Sequence, residues 1–342
     1  MRTFLFLIFV ALAVAGAVEW EIMDFAAPGP APKETIVLIA PREHLSAIAQ
    51  KLADAQTIRN PIFFRIGVQA RGKAAALKAG EYAIPAHASM ADVMAILVSG
   101  KSIQHKLTAA EGLTSQMIYD IVKADPVLTG DAGAVPGEGT LLPETYLFTR
   151  GVSRAQMIAR MRKAQAELLA KLWPARAANL PFKNEADAIV LASIVEKETA
   201  IPAERRHIAA VFENRLRLGI KLQSDPTIIY GITRGYPLGR GIRESELNGA
   251  TPYNTYVIDG LPPTPICNPG KDSIAAVLQP VDSKDLYFVA DGTGGHVFTP
   301  SITEHLKNVA NWRKIEQASK PAPPPPPVNK KHRVLSHRAH RR

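Results

Sequence analysis

The chain has 342 residues, of which 46% are hydrophobic and 21% charged, a balance that is typical of a folded globular protein and excludes a disordered or collagen-like class. This length exceeds one typical domain and can bury at least one sizeable core. A single cysteine, Cys267, excludes an intrachain disulfide and a cysteine metal cluster, and seven of the ten net positive charges lie after residue 317.

The first twenty residues predict a membrane-related segment. Arg2 precedes an uncharged, apolar run at 3–18, which is shorter than the ~20 residues of a typical spanning helix. The run fits the core of a cleaved signal peptide, whereas Trp20 at its end fits the interfacial anchor of a short or tilted membrane helix. Both interpretations of residues 1–20 remain open, and the Pro- and Ala-rich residues 21–33 are predicted to be a linker.

Residues 34–105 are predicted to form a small α/β unit. The predicted order is strand, helix, helix, strand and a further helix, at 34–39, 44–55, 60–68, 80–85 and 90–97. The strand–helix–helix–strand order resembles a LysM-like module, and modules of that kind bind glycans that contain N-acetylglucosamine. Helical spacing alone does not show sugar binding, so a folded spacer remains the alternative.

Residues 106–150 are predicted to connect this module to the rest of the chain. Two acids stand out there, Glu111 before Gly112 and Glu144 within Leu142-Pro143-Glu144-Thr145-Tyr146. Each is considered as a second acid for the chemistry described below.

A long helix is predicted to begin after Asn184, because Asn184 and Asp187 have the spacing of a helix cap. Apolar residues then recur at steps of three and four as far as Val195, and Glu198 falls next on that stripe. Glu196 points about 200° around the helix from Glu198, at ~100° per residue. A carboxyl among apolar neighbours favours its protonated form and suits a general acid. The alternative is that Glu198 only marks where the helix leaves the core.

The chain after this helix is rich in turn signals. A second helix is predicted from Pro202 to a stop at Gly219, and Asp225-Pro226 is interpreted as a turn. The glycines between Asp291 and His296 predict a hairpin turn. No Lys-Ser/Thr pair follows them, and no other metal-ligating residue stands near His296 at ligand spacing, so no metal and no cofactor are expected.

Residues 317–342 are predicted to be a disordered, Pro-rich and basic tail. The proline run at 323–327 cannot build a packed core. No aromatic residue interleaves the basic ones, so no nucleic-acid partner is expected. Anionic phospholipid and wall polymers remain possible contacts of the tail.

Five segments together carry a family resemblance. They occur in order at 192–201, 222–231, 252–256, 260–263 and 287–298. This series resembles the endolytic murein transglycosylases, the YceG-like family of bacterial cell-wall enzymes, densely at 182–312 and more thinly back to residue 36. The resemblance implies an α+β fold class: an N-terminal membrane helix, the LysM-like module, and a mixed α+β catalytic domain at 151–316 in which a helix carries the catalytic Glu.

The resemblance also implies site residues. Glu198 matches the single catalytic acid of the family, and Glu196 is better interpreted as a support. The candidate substrate-binding residues from the matched segments are Gln223, Asp225, Tyr253, Asn254 and Thr255. Two alternatives stay open: residues 253–256 form a turn followed by a strand, in which Asn254 bonds its own backbone, and Asp225 is the second carboxylate of a hydrolase.

The function implied is a lytic transglycosylase that cuts within nascent peptidoglycan strands. The expected location is the bacterial inner membrane, single-pass, with the catalytic body on the extracytoplasmic side. Glycan strands, the membrane and penicillin-binding proteins of wall synthesis are the expected partners. A muramidase-type hydrolase and a non-catalytic peptidoglycan-binding scaffold are the alternatives.

Overall fold

The computed structural model describes residues 23–319 and, before them, residues 4, 6, 8, 9, 12, 16 and 19. Most of the predicted anchor or signal segment therefore lies outside the described residues, as do residues 320–342 of the predicted tail. Among the residues that are described, no helix is both long enough and apolar enough to cross a membrane. The α+β class itself is confirmed, since helices are combined with small two-stranded sheets.

The described residues up to Val281 form one compact unit, and the described residues from Asp282 onward form another. The first unit contains β1 (Thr35–Ile39), α1 (Leu45–Asp54), α2 (Pro61–Ala70), β2 (Gly80–Ile84), α3 (Met90–Ser99), β3 (His105–Thr108), α4 (Ser115–Ala124), β4 (Thr145–Phe148), α5 (Arg154–Leu172), α6 (Glu185–Glu198), α7 (Arg205–Arg217), α8 (Asp225–Thr233), α9 (Glu244–Leu247) and α10 (Lys271–Leu278). The second contains β5 (Tyr287–Ala290), β6 (His296–Thr299) and α11 (Ile302–Ser319).

The strand–helix–helix–strand order predicted for the start of the first unit is confirmed. β1 and β2 pair antiparallel, with Thr35 opposite Ile84. Asn60 caps α2, its Oδ1 accepting a hydrogen bond from Ile62 N at 2.8 Å. Phe25, inside the predicted linker, is buried and stacks on Phe64 with ring centroids 6.3 Å apart. Part of the linker sequence thus belongs to this core.

A second antiparallel pair follows, in which His105 of β3 lies opposite Phe148 of β4. α4 and α5 complete its core around Met157. Glu81 of β2 joins the two sheets: one carboxylate oxygen lies 2.6 Å from His105 Nε2, and the other accepts a hydrogen bond from Arg150 Nε at 2.8 Å. These contacts of the buried Glu81 carboxylate fix the first sheet against the second.

α6 runs through the middle of the remaining helices. α7, α8 and α10 all pack against it, and every residue from Ala188 to Val195 is buried. The prediction of a single apolar face was therefore wrong. The residues between the stripe positions, such as Ala192 and Ser193, are small enough for neighbouring helices to close on every side. The Ser193 hydroxyl keeps a partner by donating to Val190 O at 2.7 Å.

Glu213 of α7 gives this helical part a pH-dependent stability. Its side chain is completely buried, and its Oε2 accepts a hydrogen bond from Arg217 Nη2 at 3.0 Å. Burial raises the pKa of Glu213 to about 8 from an ordinary value of 4.5, and the Arg217 charge offsets only part of the cost. At a pH between these two pKa values, Glu213 is ionised in the unfolded chain but still protonated in the folded chain. Stability therefore falls as the pH rises through this window.

We expect Glu213→Gln to weaken this pH dependence. The loss of unfolding free energy between about pH 5 and about pH 8 should shrink by roughly 3 kcal/mol, because the amide carries no charge to bury. Urea unfolding at both pH values measures the difference. Glu167→Gln is the control, since the Glu167 side chain is 66% exposed on α5. Equal pH dependence in wild type and Glu213→Gln would contradict the expectation.

In the second unit, β5 and β6 form an antiparallel hairpin. Asp291 Oδ1 accepts hydrogen bonds from Thr293 N at 2.7 Å and Gly295 N at 3.1 Å across the turn. Gly292 and Gly294 have φ values of 87° and 103°, which residues other than glycine rarely adopt. The predicted glycine-rich hairpin turn is confirmed.

Candidate active site

The acid expected to perform the chemistry is the last residue of α6. Asn184 caps the start of this helix, because its Oδ1 accepts a hydrogen bond from Asp187 N at 2.8 Å. The helix ends at Glu198, where Thr199 becomes extended and its Oγ1 accepts a hydrogen bond from Ile201 N at 3.0 Å. The Glu198 carboxyl therefore lies at the negative end of the helix dipole, which disfavours the ionised form of a carboxyl.

Ser224 contacts this carboxyl directly. Its Oγ donates a hydrogen bond to Glu198 Oε1 at 2.5 Å, and the residue is only 1% exposed. Ser224 immediately precedes α8. The sequence reasoning missed it, although a serine before an acid and a proline is a helix-start signal.

Asp225 is the first residue of α8 and belongs to the same corner. The interpretation of Asp225-Pro226 as a turn was wrong: the pair opens a helix, because the first turn tolerates proline and favours an acid. Tyr256 Oη donates a hydrogen bond to Asp225 Oδ1 at 2.6 Å. Burial raises the pKa of Tyr256, and the bond to Asp225 and the charge of Glu198 raise it further. Glu198, Ser224, Asp225 and Tyr256 thus form one cluster.

Gln223 presents an exposed side chain beside this cluster. Its backbone has a φ of 54°, and its Oε1 accepts a hydrogen bond from Arg215 Nη1 at 3.1 Å. The same buried guanidinium donates to the carbonyl oxygens of Lys221 and Leu222, each at 2.9 Å. Arg215 therefore holds the loop in the conformation that exposes Gln223.

Asn254 and Thr255 lie beneath the cluster, where both are completely buried. Asn254 Nδ2 donates to backbone carbonyls within 246–249 at 2.8 to 3.1 Å. Its Oδ1 accepts from Tyr256 N at 3.0 Å. This confirms the turn of the alternative prediction but not the strand, since turns and irregular chain follow Tyr256. Thr255 Oγ1 accepts from Ser224 N at 2.9 Å. These contacts favour supporting roles for both residues over direct contact with a ligand.

Tyr253 is half-buried and keeps part of its ring accessible. The ring lies edge-on to Tyr230 with centroids 4.9 Å apart, and the Arg234 guanidinium lies 5.5 Å from its centroid. The Tyr253 hydroxyl lies 2.8 Å from Thr264 Oγ1. An aromatic ring held in this way is a suitable surface for a sugar.

Glu138 supports this aromatic pair from behind. Its carboxylate accepts hydrogen bonds from Ser115 N at 2.7 Å and from Tyr230 Oη at 3.1 Å. Burial raises the pKa of Glu138, while these hydrogen bonds act in the opposite direction. The sequence reasoning missed Glu138 because it stands between Gly137 and Gly139, in a loop without a periodic pattern.

Glu196 takes part in a different set of contacts. Its side chain is 5% exposed, its Oε2 accepts a hydrogen bond from Gly270 N at 2.9 Å, and its Oε1 lies 3.4 Å from Arg205 Nη2. Arg205 also pairs with Glu111 at 3.4 Å and with Asp272 at 3.6 Å. Glu196 thus ties α6 to α7 and to the start of α10.

Glu111 and Glu144, the two residues considered as a second acid, line one groove with a volume of about 250 Å³. Burial raises the pKa of Glu111 and the Glu196 charge raises it further, while Arg205 lowers it. Glu144 is exposed and accepts a hydrogen bond from Thr145 N at 2.9 Å.

Cys267 is completely buried, with its Sγ 3.4 Å from Ser193 O, and burial raises the pKa of the thiol well above its usual value. Across the part of the chain that the structure describes, no three His, Cys, Asp or Glu side chains are grouped so that they could hold a metal ion.

Comparison with known proteins adds to this geometry. A model of the YceG-like family matches residues 37–311. A Bacillus subtilis (strain 168) protein named endolytic murein transglycosylase is 35% identical over 175 residues, which are 50% of this chain and 47% of that protein. A protein of the same name from Streptococcus pneumoniae serotype 2 (strain D39) is 35% identical over 179 residues, 51% of this chain and 32% of that protein.

This chain therefore spans half or less of the length of these relatives. The crystal structure of a yceG-like protein from Listeria monocytogenes aligns with 80% of this chain and 98% of its own, at 28% identity and a TM-score of 0.49.

Proposed function

The chain belongs to the YceG-like family, and from this premise we propose that it is an endolytic lytic transglycosylase of peptidoglycan. It cleaves the β-1,4 bond between N-acetylmuramic acid and N-acetylglucosamine within nascent strands and leaves 1,6-anhydro-N-acetylmuramic ends. Its role is in wall assembly and the control of glycan length. The observation that carries this proposal is Glu198, at the end of a buried helix and hydrogen-bonded by Ser224. The shared name of two relatives supports it.

The reaction needs one acid that later acts as a base. Glu198 donates its proton to the bridging oxygen as the bond from C1 of N-acetylmuramic acid to that oxygen breaks. The N-acetyl group stabilises the oxocarbenium-like centre at C1. The C6 hydroxyl then bonds to C1 and returns its proton to Glu198, so the carboxyl ends as it began and no water is consumed.

The surroundings of Glu198 suit these steps. The helix dipole favours the protonated acid at the start, while the Ser224 hydroxyl stabilises the carboxylate once the proton has left. Gln223, Asp225 and Tyr253 supply exposed or half-buried polar and aromatic groups for the sugars. Asn254, Thr255 and Glu196 support the residues that carry the site.

We place this reaction at the outer face of the bacterial inner membrane, with residues 1–20 as anchor or signal. Residues 34–105 are proposed to bind glycan as a LysM-like module, and residues 106–150 to connect it to the catalytic part. Penicillin-binding proteins of wall synthesis are the proposed protein partners.

Asp225→Asn distinguishes this reaction from hydrolysis by two carboxylates. We expect the variant to retain cleavage within roughly 10-fold of wild type and to produce the same anhydro ends, because Asp225 positions substrate and accepts the Tyr256 hydroxyl. If Asp225 were a nucleophile or base, the loss would be about 10³-fold. Initial rates of strand cleavage by the two proteins decide between these values.

The proposed function is tested by mass spectrometry of purified glycan strands digested with the full chain. We expect new ends that are lighter than hydrolysis products by one water, together with an early fall in strand length that indicates internal cuts. Reducing ends would show a hydrolase. An absence of cleavage by the folded protein, on both purified and nascent strands, would favour the binding scaffold.

A further inference from the structure

Two buried threonine hydroxyl groups, of Thr227 and Thr255, form a closed set of hydrogen bonds around the backbone of Ser224. Ser224 N donates to Thr255 Oγ1 at 2.9 Å, and Thr227 Oγ1 donates to Ser224 O at 2.6 Å. The two threonine hydroxyls lie 2.8 Å apart. Thr255 Oγ1 also lies within 3.5 Å of Ser224 O, so both threonine hydroxyls contact this carbonyl. All three residues are at most 1% exposed.

This ring leaves the Ser224 side chain with one defined direction. Its Oγ donates to Glu198 Oε1 at 2.5 Å, while its N–H and C=O are both occupied by the threonines. Gln223 N donates to Thr255 O at 3.1 Å, which fixes the residue before it as well. The hydroxyl is therefore held in place before any substrate binds, and a pre-oriented donor needs no reorganisation during a reaction.

A hydrogen bond donated to a carboxylate oxygen stabilises the ionised form. An acid that must release its proton and then take one back benefits from such a donor, because the donor lowers the free energy of the carboxylate that exists between the two steps. Other charged or titratable groups in this corner include Asp225 of α8, Arg215 of α7 and Tyr256. On α6 itself, Glu196 pairs with Arg205, and Lys197 donates to Gly112 O at 3.4 Å.

We infer that Ser224, held by Thr227 and Thr255, is the positioning residue that orients the Glu198 carboxyl and stabilises its ionised form. The inference deepens the proposed function and rests on Glu198 as the acid of that reaction. Ser224 acts through Glu198 and makes no bond to the sugar in this account. The threonines act one step further away, by fixing the backbone of Ser224.

The first test is the rate of glycan cleavage as a function of pH. We expect Ser224→Ala to lower kcat by roughly 10- to 100-fold with KM changed by less than about twofold. The alkaline limb of its kcat profile should move to higher pH, because the ionised form of Glu198 has lost a donor. Ser273→Ala is the matched control: Ser273 is also completely buried, and its hydroxyl has no hydrogen-bond partner among the described residues.

The second test does not depend on activity. In chains labelled with carboxyl-¹³C glutamate, the Glu198 resonance is the one that disappears in Glu198→Gln. We expect its titration midpoint to move to higher pH in Ser224→Ala and to stay in place in Ser273→Ala. If the wild-type chain makes no anhydro ends, the proposed reaction is wrong, yet this titration still decides whether Ser224 stabilises the Glu198 carboxylate.

Thr227→Val provides the second variant if Ser224→Ala does not fold. It removes the donor to Ser224 O but keeps the serine, so the midpoint should move in the same direction by a smaller amount. An unchanged midpoint in the folded variant would overturn the inference. A fall in kcat without a shift of the pH profile would also overturn it, because that result indicates only a structural role.

Discussion

Glu198→Gln is expected to reduce glycan cleavage by at least about 10³-fold. A general acid contributes roughly 10²- to 10⁴-fold, and here the same group also serves as the base. The amide has the size of the carboxyl and can still accept the Ser224 hydrogen bond, so the fold should be unaffected. Initial rates on purified strands and thermal unfolding of the same preparation measure the two effects separately.

The matched control for this substitution is Glu185→Gln. Glu185 is an exposed acid at the other end of the same helix, so the variant loses a carboxylate from α6 without a change near the cluster. It should cleave at the wild-type rate. Substantial cleavage by folded Glu198→Gln would show that Glu198 is not the catalytic acid, and Asp225 would then be the next candidate.

Arg205→Met is expected to lower the free energy of unfolding by roughly 2–4 kcal/mol. The Arg205 side chain is 9% exposed and faces Glu196, which is 5% exposed. Removing one partner of a buried pair leaves the other charge uncompensated, and this costs more than the pair contributes as a whole. Because Glu196 is two residues from Glu198, cleavage should fall as well.

A double variant separates the charge from the packing. Arg205→Met combined with Glu196→Gln should recover at least half of the lost stability, since the amide can still accept the bond from Gly270 N. Arg240→Met, at the exposed pair with Glu246, is the control and should cost less than about 1 kcal/mol. Urea unfolding measures all four proteins, and a small loss in Arg205→Met would show that Glu196 does not depend on Arg205.

The local structure of residues 34–105 could be predicted because each element carries its own signals. Asn60 before Pro61 caps α2, and Gly100 takes a left-handed conformation after α3, as side-chain chemistry and glycine geometry require. β1 alternates buried and exposed residues along most of its length and pairs with β2 as expected. Such signals act within a few residues, so the sequence alone is sufficient to reveal them.

The site could be predicted only in part, because its contacts join distant segments. Glu198 was identified from its helix and from the family resemblance, but Ser224 is 26 residues further along and contacts it only through the fold. Asn254 and Thr255 were expected to contact sugar because they stand in a segment matched to the family and their side chains both donate and accept hydrogen bonds. The fold buries both, and local pattern does not reveal which side of a loop faces inward.

Arg205 and Glu138 illustrate the same limit. Neither stands in a periodic pattern that predicts a buried charge, and each gains its partners from segments far away in the chain. Burial of a charged group destabilises the fold unless those partners are in place. That condition is a property of the folded chain.

Digestion of glycan strands in H₂¹⁸O tests the central claim most directly, namely that Glu198 transfers a proton while the C6 hydroxyl takes the place of water. We expect new ends that are lighter than hydrolysis products by one water and that carry no ¹⁸O. These ends should not form with Glu198→Gln. Reducing ends labelled with ¹⁸O at C1 would contradict the account, because they require a water molecule as the nucleophile.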